Sequence, residues 1–146
     1  MDTRVEQVIA AWEAGVASDE KADPIWHLHA YRVARCLLDL TQKDSATILV
    51  ARVDAKLIAQ LSRAVASIGA NVAEGYSRRS ATDRSRFYGY ALGSAREATL
   101  WYQSMAWCLD GGVLDLRMAF LTQERRLLLG MLKSVQRHGA PGLEPG

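Results

Sequence analysis

Residues 65–86 read VASIGANVAEGYSRRSATDRSR, and this stretch decides the fold. Its first half belongs to a helix predicted from Asp54 to Gly75, with glycine as the residue that ends it. At about 100° per residue, Leu57, Ile58, Leu61, Ala64, Val65, Ile68 and Val72 fill one arc. Ala55, Ala59, Ser62, Ala66, Gly69, Ala70 and Ala73 fill the opposite side, and Arg63 is the one charge between Leu57 and Ala73. The second half is an arginine-rich turn, in which Ser80 to Asp83 forms a weak capping box for the next helix. That helix, expected to run to about Leu109, carries Phe87, Ala91, Ser94, Ala98, Trp101 and Met105 on one side and Leu92, Leu100 and Trp107 on the other. A helix that is apolar all round must be covered all round, and one bundle covers each helix on one side only. The pattern therefore predicts self-association through these two helices, with Ala59, Ala66, Ala70, Leu92, Leu100 and Trp107 as candidate interface residues.

Helical periodicity extends in both directions, and strand signals are nearly absent. Val5, Val8, Ile9, Trp12 and Val16 mark a short N-terminal amphipathic helix. Asp23 followed by Pro24 reads as an N-cap and first-turn proline opening a long helix, with Trp26, Ala30, Val33, Leu37 and Leu40 as its apolar stripe. Residues 42–53 read as a connection whose Ile48-Leu49-Val50 run is either a helical turn or a docked loop. Gly111-Gly112 is the break before a last helix from Leu114–Asp115 to about Arg137. The expectation is an all-α, antiparallel up-down four-helix bundle over residues 23–138, an acidic helical extension over 1–22, and a disordered tail over 139–146.

The net charge of +2 is too small to imply a nucleic-acid partner, but its distribution is uneven. Asp2, Glu6, Glu13, Asp19, Glu20 and Asp23 face only Arg4 and Lys21 in the first 23 residues, so the rest carries +6. Asp2 and Glu6 stand where a secretory leader would be basic, and no run of about 18 apolar residues occurs, so a cytoplasmic protein without membrane contact is expected. Cys36 and Cys108 lack CxxC spacing and read as two buried thiols. No glutamate has a histidine three residues on, and His27 and His29 point about 200° apart on a helix, so no metal site is expected. Nucleotide loops and nucleophile elbows are missing too, so neither cofactor nor catalytic residue is assigned.

Arg78, Arg79, Arg84 and Arg86 crowd the turn with only Asp83 to offset them, and Arg126, Lys133 and Arg137 share a side of the last helix. In one subunit such charges are ordinary solvated surface. Repeated by symmetry, they become a candidate surface for phosphate backbones. Tyr76, Phe87 and Tyr88 are the only aromatics nearby, too few to indicate base stacking.

Ser67-Ile68, Asn71-Val72-Ala73-Glu74-Gly75, Arg78-Arg79-Ser80 and Gly93-Ser94 followed by Glu97, with Trp26 and Arg63-Ala64, resemble the four-helix bundle proteins of the 23S rRNA intervening-sequence family. The resemblance spans roughly residues 24–135, with Gly69 in place of the family's usual proline. It implies a non-enzymatic bundle assembling as a ring-like homopentamer. The related accessory variability determinants of diversity-generating retroelements are pentamers that bind nucleic acid and a reverse transcriptase. The motif also bears on the polar stripe of Ser67, Asn71 and Glu74, which with Ser94 and Glu97 is expected to hydrogen-bond across the two helices, Gly93 allowing close approach. A catalytic Glu74–Glu97 pair is the alternative, and it lacks any accompanying nucleophile. The functional expectation is an accessory scaffold binding RNA or DNA through repeated basic patches, possible partners being itself, nucleic acid and a reverse transcriptase or other protein. A purely protein-binding or structural oligomer is the alternative.

Overall fold

Capping chemistry sets where each helix begins. The computed structural model describes residues 1–138, and the expected disordered tail lies outside them. The described chain folds into five α-helices: α1 (Thr3–Glu13), α2 (His29–Val50), α3 (Ala55–Ser77), α4 (Ala81–Ser104) and α5 (Gly111–His138). Three short 3-10 turns accompany them, and no strand occurs among the described residues. Side chains of Asp2, Asp54 and Ser80 accept from backbone amides of the first turns of α1, α3 and α4. Asp110 accepts from Gly112 and Val113 at the start of α5.

The long helices pack in a closed circuit, α2 on α3, α3 on α4, α4 on α5 and α5 back on α2, so the chain is a helical bundle. Its main core joins Leu37, Ile48, Leu61, Val65, Ile68, Tyr102, Phe120 and Leu121. A smaller cluster of Val72, Ala91, Leu92 and Leu128, flanked by Leu28, Tyr31, Met131 and Leu132, fills the other end. The α3–α4 turn closes that end, and the C-terminal part of α5 reaches it. Helix α1 lies against α2 and α5, burying Val5 and Ile9 completely or nearly so.

Several boundaries differ from the sequence expectation. Pro24 opens a 3-10 turn, Pro24–His27, rather than the long helix, because Leu28 is extended (φ −80°, ψ 110°) and α2 starts after it. Ile25 and Trp26 of that turn are buried, with Trp26 stacked on Trp12 at 5.7 Å. The expected connection at 42–53 is helical as far as Val50, since Thr41, Asp44 and Ile48 continue the buried face of Leu37. Gly75 lies inside α3 instead of ending it, α4 stops at Ser104 rather than near Leu109, and Gly111-Gly112 begins α5 under the Asp110 cap. Cys36 is buried, which pushes its thiol up to about 12, whereas Cys108 is only half-buried.

Candidate nucleic-acid interface

The polar stripe is partly as expected. Ser67 and Ser94 hydroxyls meet at 2.9 Å across α3 and α4, and the Asn71 amide donates to both the Ser67 carbonyl and hydroxyl at 2.9 Å. The two carboxylates stand apart from this network. Glu74 pairs with Arg78 one turn on, and Glu97 accepts from the Trp101 indole at 3.2 Å, each exposed and bonded within its own helix. Nothing brings them together as a catalytic pair. Gly93 does not serve close packing inside the chain either, because a Cβ there would meet nothing within 4 Å.

Gly75 is the glycine that the packing requires. A Cβ at this position would lie 2.6 and 2.8 Å from ring carbons of the buried Tyr88 and 3.2 Å from the Phe87 Cβ. Close approach of α3 to α4 just before the arginine turn therefore depends on a missing methyl. Gly75→Ala should lower the melting temperature in a circular-dichroism scan by the equivalent of about 1–2 kcal/mol, overpacking outweighing the gain in helix propensity. An unchanged or raised melting temperature would contradict this packing.

The arginines of the turn have unequal tasks. Arg84 donates to the carbonyls of Arg78 at 2.7 Å and Tyr76 at 2.9 Å and lies over the Tyr76 ring, so it clamps the end of α3 and leaves the candidate phosphate ligands. Arg78 and Arg86 both lie over Phe87, at 5.0 and 5.1 Å, and pair with Glu74 and Asp83 while staying about half exposed. Arg79 is exposed, with no side-chain hydrogen bond or ion pair among the described residues. Lys133 and Arg137 are exposed on the last turns of α5, the part that reaches this end of the bundle. Arg126 sits further back, on a cleft of about 650 Å³ between α5 and the start of α1. The guanidiniums cover Phe87, which leaves Tyr90, 53% exposed and edge-on to Phe87, as the open aromatic face nearby.

Of the candidate interface residues, Leu92 is buried in the chain's own smaller core and so cannot line an outer face. Leu100 and Trp107 are 58% and 71% exposed, and Ala59 and Ala70 are also exposed. Ala66 and Ala70 line a groove of about 250 Å³ between α2 and α3.

Sequence reasoning missed the charged residues of the interior. Arg117 on α5 donates to both Asp44 oxygens, at 2.6 and 3.0 Å, and Tyr102 on α4 donates to Asp44 at 2.6 Å while meeting Thr41 at 2.8 Å. All four are buried, so this network joins α2, α4 and α5 through the core. Burial opposes the Arg117 charge, but the Asp44 hydrogen bonds outweigh it and raise the guanidinium above its ordinary range. Glu124 is fully buried with both oxygens unpartnered, and burial alone raises its carboxyl well above the usual range. No group of three or more His, Cys, Asp or Glu side chains suited to a metal occurs among the described residues. No described helix is long and apolar enough to cross a membrane.

The 23S rRNA-intervening sequence protein family model matches residues 27–108. A crystal structure of a protein of unknown function from the S23 ribosomal protein family of Bacteroides thetaiotaomicron has the same fold, with a TM-score of 0.67 at 18% identity. The alignment covers 71% of this chain and 98% of that one. No curated protein matches the sequence significantly.

Proposed function

The chain belongs to the 23S rRNA-intervening sequence protein family, and we propose that it is a non-enzymatic, homo-oligomeric scaffold that binds RNA or DNA through one basic end. The observation that carries this reading is the convergence of Arg78, Arg79 and Arg86 with Lys133 and Arg137 at one end of the bundle. A ring-like assembly, five subunits by family resemblance, repeats that end and multiplies its attraction for phosphates. Self-association is supported by the outer face of α4, where Gly89 and Gly93 open onto empty space beside exposed Tyr90 and Leu100. Two mid-helix glycines cost about 1 kcal/mol each and pack nothing within the chain. A backbone of another subunit approaching there would use them.

Fluorescence anisotropy with labelled RNA and DNA, and light scattering on the same protein, test both halves. Binding should be largely sequence-independent and weaken steeply with salt, as counterion release requires. Reversing Arg78 and Arg79 to glutamate should lower affinity at least about tenfold and flatten the log–log salt slope by about 2, without changing the scattering mass. Scattering should give several times 16.1 kDa. A bound oligomer without nucleic-acid affinity at low salt would instead favour a protein-binding scaffold, for which exposed Trp107 is the supporting observation.

A further inference from the structure

The acidic N-terminal segment does not touch the arginine turn. It lies along α2, and there it sets one carboxylate against each of two guanidiniums and an imidazole. Glu6 meets His29 at 2.8 Å, Glu13 meets Arg32 at 3.5 Å, and Glu20 meets Arg35 at 2.8 Å. Glu6 and Glu13 lie on α1 and Glu20 opens the 3-10 turn after it, so a helix and its exit together meet one face of α2. Water reaches the Glu20–Arg35 pair, whose side chains keep 32% and 29% of their surface, whereas the Glu13 Oε1 and Arg32 Nε atoms that face each other are buried. The cations lie within the family-matched segment 27–108, and the acids lie before it. This face of the matched bundle thus takes carboxylates from outside the match, beside Asp39, which lies within it and also pairs with Arg35.

We propose that the face of α2 bearing His29, Arg32 and Arg35 is a second phosphate-backbone surface, occupied in this chain by Glu6, Glu13 and Glu20. Its ligand is the nucleic acid proposed above for the arginine turn, so the two surfaces share that premise. They also share an end of the bundle, since Leu28 and Tyr31 beside His29 pack with the cluster under the turn. A carboxylate in a pair that water reaches, as at Glu20–Arg35, adds little net stability, so a phosphate oxygen can take its place there. The cover is firmest at α1, which Val5 and Ile9 anchor, and loosest at the 3-10 turn Glu20–Ala22, which buries no residue. Arg35 is the most heavily held cation, because Asp39 also accepts from it at 2.6 Å and Trp12 lies beneath it. Arg32 keeps a second contact to the His29 ring at 3.0 Å.

The test is anisotropy with a labelled duplex DNA and a labelled RNA, from about 50 to 200 mM salt, on variants that keep the apolar anchors of α1. Glu6→Gln/Glu13→Gln/Glu20→Gln should bind about tenfold tighter at low salt, with a slope steeper by about 1–2. Adding Arg32→Gln/Arg35→Gln should remove the gain. Should the triple variant lose its fold by circular dichroism, Glu20→Gln alone, outside α1, should still steepen the slope by about 1. An unchanged triple variant, with wild-type binding that falls on Arg78→Glu/Arg79→Glu, would overturn the α2 surface and leave the arginine turn standing. A gain that survives Arg78→Glu/Arg79→Glu would support the α2 surface even if the turn contributes nothing. No binding by any variant at low salt would overturn both.

Discussion

Glu124→Met should make the protein more stable, by about 1–4 kcal/mol at neutral pH, when urea unfolding is followed at one protein concentration. The carboxyl is fully buried, neither oxygen has a partner, and methionine matches its length. Glu124 stands on α5 between Leu121 of the main core and Leu128 of the smaller one, so its desolvation falls where the two cores meet. Burial raises the folded carboxyl's pKa above the unfolded value of about 4.3. Below that unfolded value both states are protonated and Glu124 costs the fold least. As pH rises from there through the raised folded value, the unfolded chain ionises first, and the Glu124 contribution to stability falls until the folded carboxyl also ionises. Glu124→Gln should abolish that fall while leaving a polar group to bury, and Glu124→Met should also recover the burial cost. The wild type and Glu124→Gln curves should therefore diverge as pH rises from about 4 towards neutrality. Parallel curves across that range would show that the carboxyl finds a partner in solution.

Why the helices were legible and this residue was not follows from what a sequence pattern measures. Ser80 with Asp83, Asp54 and the leucine and valine arcs of α3 act locally, through caps and a repeating face, and the structure keeps them. A polar residue read alone is assigned to solvent, so Thr41 and Asp44 interrupt the apolar stripe of α2, and the pattern predicts a helix end near Leu40. Their reasons for being inside lie far along the chain, Asp44's 73 residues away at Arg117 and Thr41's 61 residues away at Tyr102. Gly75 is similar: ahead of a basic turn it looks like a helix terminator, and only the position of Tyr88 shows it as a packing glycine. The candidate site was half legible for the same reason. Four arginines in a short turn announce a charge, but Arg84 turns back onto two carbonyls, and no spacing rule foresees that. The acidic extension was legible as a charge, but not that Glu6, Glu13 and Glu20 have partners on α2 while Asp2, Asp19 and Asp23 cap their own turns.

Asp44→Ala should cost about 3–5 kcal/mol, enough to leave a marginal domain largely unfolded near room temperature. The loss is larger than the ion pair's net value, because alanine leaves the Arg117 guanidinium buried and uncompensated, and the Tyr102 hydroxyl loses its acceptor. Thr41 still meets Tyr102, so the tyrosine is only half stranded and most of the cost falls on the arginine. Removing both charges should behave differently. Asp44→Leu/Arg117→Met takes away the stranded charge with its partner and fills the space with apolar atoms. That variant should recover most of the lost stability, even though three helices no longer share a hydrogen-bonded centre. Urea or thermal unfolding of the two single variants and the double measures the coupling. Strongly destabilised single variants beside a near-normal double would mean that the network fixes how α2, α4 and α5 meet, at little net gain in energy. A double variant as unstable as the singles would mean that packing around the network, rather than its charges, holds these helices together.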